Sequence, residues 1–228
     1  MGDIAARLQE ELEIKTAFTI PIFGGIAVNQ SVVVTWCIMA LLLIVTLIMT
    51  SGMKVRNPGR KQIMVESFVV WIQNLTGDML GEEAKEYVPY ISTILIYLGI
   101  SNTIGIFNIA PPTKDLRVTV ALALMSIVVV ESASFKRKGG KKFLKSFGEP
   151  MAVIAPMNIL ELGIKPLSLC MRLFGNIFAA FVIMELVKMA VPVILPAALC
   201  LYFDLFDGLI QAYVFVFLTS LYIKEAIE

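Results

Sequence analysis

In the stretch PLSLCMRLFGN, residues 166 to 176, an arginine stands among residues that otherwise read as membrane interior. Arg172 is the only charged residue from Pro166 to Met184. An arginine at the centre of a membrane helix costs roughly 2.5–3.5 kcal/mol on insertion scales. Ser168, Arg172 and Asn176 are spaced four apart, so on a helix each drifts only about 40° round the axis from the last and all three share a face. Gly175 on the flank removes side-chain bulk and favours close approach of another helix. A second polar set, Asp204, Asp207 and Gln211, follows an i, i+3, i+7 spacing that again selects one face. Carboxylates and a carboxamide along one face of a membrane helix suit a hydrated pathway for a cation, and intramembrane ionisable residues are functional by default. The competing reading is structural: Arg172 pairs with Asp207 or Asp204 and fixes helix register, a role often replaceable by apolar residues. Glu131, near the end of its span, fits an interfacial residue, and Glu161 with Lys165 fits an i, i+4 ion pair.

Composition makes the elements around these stripes membrane helices. The chain has 228 residues, 58% hydrophobic and 16% charged, with a mean hydropathy of +0.83. A soluble domain is nearer about half apolar and about a quarter charged. The net charge of +1 says little, because in membrane proteins the placement of charge sets orientation. There is no histidine, which removes the commonest transition-metal ligand and the usual neutral-pH acid–base group. The three cysteines, Cys37, Cys170 and Cys200, lie in apolar segments without CxxC spacing and read as small buried hydrophobes. No metal site and no cofactor are expected. The first residues carry Asp3, Glu10, Glu11 and Glu13 instead of a basic region, so no cleaved signal peptide is expected.

Charge gaps mark the spans of a single membrane domain without repeats. After an outer N-terminal segment (1–31), span 1 (32–53) lies in a run with no charge from Thr16 to Met53. The tract KVRNPGRKQ follows, with four basic residues and no acid. Residues 62–83 mix apolar and polar types too evenly to span, so they read as an interfacial helix, the alternative being a soluble loop helix. Span 2 (88–108) ends in APPTKD, a turn signal with paired prolines. Span 3 (115–135) leads into a basic loop (136–148) containing KRKGGKKFLK. Two basic loops joined by one out-and-back pair of spans belong on the same, cytoplasmic side, which puts the N-terminus outside. Residues 149–190 make near 60 Å of helix at ~1.5 Å per residue, either two spans or one long inclined element. Residues 191–226 are similarly overlong.

NILELGIKPLSLCMRLFGN, from Asn158 to Asn176, resembles the hallmark of subunit a of F-type ATP synthases. That pattern runs Asn-x-x-Glu, Pro-x-Ser-Leu, Arg-Leu-Phe-Gly-Asn, with Glu161 at its glutamate. PPTKDLRVTVALAL is similar to the family's loop and following span, and LIQAYVFVFLTSLYIKEAI to its C-terminal helix. The resemblance implies an all-α membrane protein of five transmembrane helices plus an interfacial helix, the last two forming a long inclined hairpin against a rotating ring of c subunits. It implies an ion-translocating subunit with two half-channels, in which Arg172 matches the essential arginine, Gln211 the glutamine facing it and Asn176 the asparagine one turn on. Ser168, Asp204, Asp207 and Glu161 are then candidates for the ion pathway. The implied partners are the c ring, the b-subunit peripheral stalk, other synthase subunits and lipid, in a bacterial plasma membrane and without nucleic acid. Phe181 departs from the pattern, standing where many members carry an acid or histidine, and Asp204 falls where some carry histidine or glutamate.

Two other classes fit the residues alone. One is a secondary transporter with a midplane substrate site, against which the chain shows no internal repeat. The other is a structural scaffold in which the polar stripes are packing devices. The chain has no GxxxxGK[ST] loop, so nucleotide chemistry is expected on partner subunits. Protons and sodium both suit acidic half-channels.

Overall fold

The computed structural model describes residues 16–20, 26–54, 59–107, 109–139, 155–190 and 199–227. Among these, six α-helices follow in order: α1 (Gln30–Thr50), α2 (Arg60–Leu80), α3 (Val88–Thr103), α4 (Leu116–Lys138), α5 (Ala155–Ala190) and α6 (Gly208–Ile227). Five helical stretches are long and apolar enough to cross a membrane: Gln30–Thr50, Glu82–Phe107, Leu116–Lys138, Leu160–Lys188 and Leu201–Ile227. The acidic residues of the first fifteen positions, the basic tract beyond Gly139, Glu149 and residues 191–198 lie outside the described residues.

In α1 only Ile38 is buried, and Leu41, Leu43, Leu47 and Ile48 remain exposed. A helix apolar on every side with so little of this chain around it suits a place in the membrane. The sixth helix, α2, is not among the five. It buries Ile72, Thr76 and Leu80, spaced four apart, against α3 and α6, and leaves Met64, Phe68 and Trp71 exposed. One buried stripe beside an open apolar side suits a helix at a membrane interface. It ends at Gly81, whose φ of 74° is a conformation glycine favours.

Within the stretch assigned to an outer segment, the structure places a hairpin. Strand β1 (Thr16–Ile20) pairs antiparallel with β2 (Ile26–Asn29), Phe18 opposite Val28 and Ile20 opposite Ile26. TAFTI and IAVN are rich in β-branched and aromatic residues, which suit strands. A search for charge gaps cannot separate such short strands from the span that follows. Among the described residues the fold is therefore helical with one short hairpin.

Packing centres on α4. Its buried residues Thr119, Ala123, Ser126, Val130 and Ala133 form a seam of mostly small side chains on which both α5 and α6 close. Leu169 and Leu173 of α5, Phe215, Val216 and Ile223 of α6, and Ile91 and Leu98 of α3 fill the core. Residues 155–190 are one helix of 36 residues, about 54 Å long, which decides between two spans and one long element. Lys165 reaches Glu225 at 3.3 Å and Asn176 reaches Gln211 at 2.6 Å. The last two helices are thus an antiparallel hairpin.

Polar contacts tie the ends together. Asn29 Nδ2 donates to Asp115 Oδ2 at 3.0 Å, and Asp115 Oδ1 accepts the Arg117 N–H at 2.9 Å as the N-cap of α4. That bond sets the start of α1 beside the start of α4. The basic far ends of both helices, Lys54 and Lys136 to Lys138, consequently lie at the opposite end of the bundle. There Lys136 pairs with Glu86 and Arg137 with Glu83, exposed contacts that contribute little.

Asp115→Ala removes an N-cap, about 1 kcal/mol, and strands the buried Asn29 carboxamide, about 1–3 kcal/mol. Thermal unfolding in detergent is expected to show that combined loss for Asp115→Ala. Asp115→Asn, which keeps the cap and can still pair with a flipped Asn29, should stay close to the parent. Equal losses in both variants would mean that charge, not the hydrogen-bond pair, is what the position requires.

Candidate functional site

The inward face of α5 is apolar: Leu169, Leu173, Ile177, Ala180 and Met184 are buried. Ser168, Arg172 and Asn176 follow at the edge of that face, Ser168 half-buried and the other two exposed. Among the described residues, nothing accepts a hydrogen bond or forms an ion pair with the Arg172 guanidinium. The alternative of a register-fixing pair with Asp204 or Asp207 is therefore not what the structure forms. Phe174, one residue past Leu173, stacks on Phe178 with ring centroids 5.2 Å apart.

One turn beyond Arg172, Asn176 Nδ2 donates to Gln211 Oε1 at 2.6 Å. Gln211 is 2% exposed, and its Nε2 has no partner among the described residues. Among the described residues, nothing lies within 4 Å of where a β-carbon on Gly175 would stand. The expected close approach at Gly175 is therefore not made by the described residues. The open space lies on the exposed side of α5, which also carries Leu160, Ile164, Leu167 and Met171.

The acidic set divides. Before α6 begins, Leu201–Asp207 forms a π-helical turn, wider than an α turn and frequent at functional sites. Asp204 points into a cavity of about 400 Å³ between the start of α1, the turn at Pro112, α5 and this π turn. Its Oδ2 accepts the Cys200 thiol at 2.9 Å. Asp207, half-buried, is not among the residues lining that cavity. The i, i+3, i+7 spacing assumes an uninterrupted α-helix, and the π turn breaks that register.

Sequence reasoning missed several charged groups of this cavity: Lys114, Asp115, Glu185 and Lys188. Lys188 pairs with Glu185 at 2.8 Å. Lys114 places its ammonium 3.2 Å from the Phe181 ring centroid, so the apolar residue at the departure from the family pattern lies under a cation. Asn102 was missed as well. It lines the cavity, accepts from Thr113 Oγ1 at 2.9 Å and donates to the Gly208 carbonyl at 3.1 Å. The one available signal was a carboxamide inside an uncharged run.

At the other end of the hairpin, Lys165 Nζ lies 3.0 Å from Glu161 and 3.3 Å from Glu225, so the expected Glu161 pair is formed and shared with α6. Arg172 stands between, about 13 Å along the axis from Phe181 and about 16 Å from Glu161.

Residues 32–224 match the family model described as ATP synthase A chain. The chain belongs to the ATP synthase A chain family. It is 39% identical over 219 residues to "ATP synthase subunit a, sodium ion specific" of Propionigenium modestum, covering 89% of this chain and 75% of that protein. It is 32% identical to ATP synthase subunit a of Moorella thermoacetica, over 90% of this chain and 94% of the relative. A Bradyrhizobium protein, ATP synthase subunit a 2, is 31% identical over 90% of this chain and 91% of its own length. Family and helices together make the chain a multi-pass membrane protein.

Because Gln211 is buried, Asn176→Ala leaves its carboxamide without the one partner it has, at about 1–3 kcal/mol. Gln211→Leu, apolar and of similar length, is expected to lose less. The double variant should be no less stable than Asn176→Ala alone. Unfolding midpoints of the purified complex measure this cycle, and additive losses would show that the two residues do not depend on each other.

Proposed function

We propose that this chain is the ion-translocating subunit a of an F-type ATP synthase, supplying two half-channels and the arginine that separates them. The observation that carries the reading is Arg172, a guanidinium on an open helix face without a partner among the described residues. On one side of it lies a cavity lined by Asp204, and on the other the Glu161–Lys165–Glu225 cluster. The cavity is the proposed outer half-channel and the cluster marks the proposed inner one. Ser168, Asn176, Gln211 and Asp207 lie beside the route.

The chemistry follows from the charge. A ring carboxylate must exchange its cation with each side in turn while the sides stay unconnected. Arg does not lose its proton in a protein, so its field always favours the ionised form of a passing carboxylate and releases the cation. The same charge repels a cation crossing directly between the half-channels. A lysine is weaker in this role, since burial strips its proton. The cost of holding the Arg172 charge within the membrane is offset by each ring carboxylate that passes.

The open space at Gly175 supports docking of the c ring on that side of α5. The b-subunit stalk and the remaining synthase subunits are further proposed partners, and nucleotide chemistry belongs to them. The basic ends of α1 and α4, at one end of the bundle, are assigned to the cytoplasm, with the N-terminus outside and the C-terminus inside. Cysteines placed at Gly59 and Gly140 are expected to label only from the cytoplasmic side, and one at the exposed Ala110, near Pro112, only from outside. Labelling of Gly59 and Gly140 from opposite faces would overturn that orientation.

Arg172→Ala and Arg172→Gln are expected to abolish coupled ATP synthesis while the complex still assembles, with passive ion leak unchanged or raised. Arg172→Lys should fail too. Assembly, ATP-driven pumping and passive flux in reconstituted vesicles measure this. An assembled Arg172→Ala complex that pumps removes the arginine from the mechanism.

A further inference from the structure

Gly105 lies in the 3-10 turn Ile104–Phe107 that ends α3, and its φ is outside the left-handed region. The backbone there does not require glycine. The space does. A β-carbon at residue 105 would stand 2.7 Å from both Cγ and Oδ1 of Asp204 and 2.9 Å from its Oδ2, well inside the ~3.5–4.0 Å of ordinary carbon contact. The carboxylate rests on a bare α-carbon, and both residues line the cavity.

The backbone just beyond Asp204 is pinned. Four residues on, the Gly208 carbonyl accepts from Asn102 Nδ2 at 3.1 Å, and a β-carbon on Gly208 would come within 3.2 Å of Asn102 Cβ. Asn102 is itself fixed by Thr113 and is 1% exposed. The end of α3 and the π turn therefore meet at two glycines, with a buried hydrogen bond setting their separation. What can move is the Asp204 side chain. Any side chain at residue 105 drives it off the Cys200 thiol and out of its place in the cavity.

We propose that Gly105 is a positioning residue for ion transfer: its missing side chain is the seat that holds the Asp204 carboxylate in the cavity. The proposal rests on the reading of this cavity as the outer half-channel and deepens it. It predicts that the effect of residue 105 passes entirely through Asp204.

The test uses the whole synthase in vesicles, comparing Gly105→Ala, Asp204→Asn and their combination for assembled subunit, ATP-driven uptake of protons and of sodium, and the outer cation concentration at half-maximal synthesis. Gly105→Ala is expected to assemble, to slow transport about tenfold and to raise that half-maximal concentration. The combination should be no slower than Asp204→Asn alone. Gly105→Asp added to Asp204→Ala, which returns a carboxylate to the same spot from the other wall, should recover part of the lost rate. Wild-type transport by Gly105→Ala beside an impaired Asp204→Asn overturns the seat while leaving the half-channel reading intact, as do defects that multiply in the combination. Wild-type transport by Asp204→Asn overturns that reading and the seat with it. If Gly105→Ala does not assemble, Gly105→Ala with Asp204→Ala removes the collision. Restored assembly supports the contact, and continued failure overturns it.

Discussion

Hydrocarbon offers a polar group no water, so each one inside a lipid-covered bundle must find its partner within the protein. The described helices obey this constraint at several joints, while Tyr97 Oη, Ser101 Oγ, Ser220 Oγ and Gln211 Nε2 are buried without a partner among the described residues. Thr76 and Ser92 pair at 2.9 Å between α2 and α3. Asn29 meets Asp115, Asn102 meets both Thr113 and Gly208, and Asn176 meets Gln211. Each contact joins two different elements, three of them far apart in sequence, and each would leave a stranded polar atom if the elements slid past one another. Apolar packing brings the helices together without a strong preference for register. These bonds supply it.

Arg172 stands outside that pattern, and its position gives the exception meaning. The same helix buries Leu169 and Leu173 against the core and turns the guanidinium to the open side. A charge held there by a rigid scaffold is available to groups that come from outside the chain. In the proposed function those groups are ring carboxylates, which arrive and leave. An internal partner would neutralise the charge the mechanism needs. The cavity shows the opposite treatment: Glu185 is paired with Lys188, Asp115 caps α4 and Asp204 accepts the Cys200 thiol.

Close approach is the second condition. Small residues on α4 admit α5 and α6, and Gly208 lets the π turn come against Asn102. Such positions are invisible to hydropathy because glycine and serine neither raise nor lower it much. Their effect lies in what they leave empty.

The sequence by itself determined the membrane class, the first three spans, the non-spanning helix and the basic tracts, because each depends on composition over about twenty residues, the thickness of a bilayer. The count of five spans came from the family resemblance, since residues 149–190 fitted two spans or one long element. The sequence also singled out Arg172, Asn176 and Gln211, since charge and amide groups stand out in an apolar run and the family pattern names them. The hairpin at Thr16–Asn29 was hidden inside an uncharged stretch. Only the tertiary structure decided that Asp204 and Asp207 part company, because a π turn shifts the register that spacing alone takes as regular. Only it brought Lys114 over Phe181, Lys165 to Glu225 and Asp204 onto Gly105. Those contacts join residues separated by tens of positions, and their geometry depends on how far apart two helices pack, a distance set by every side chain between them.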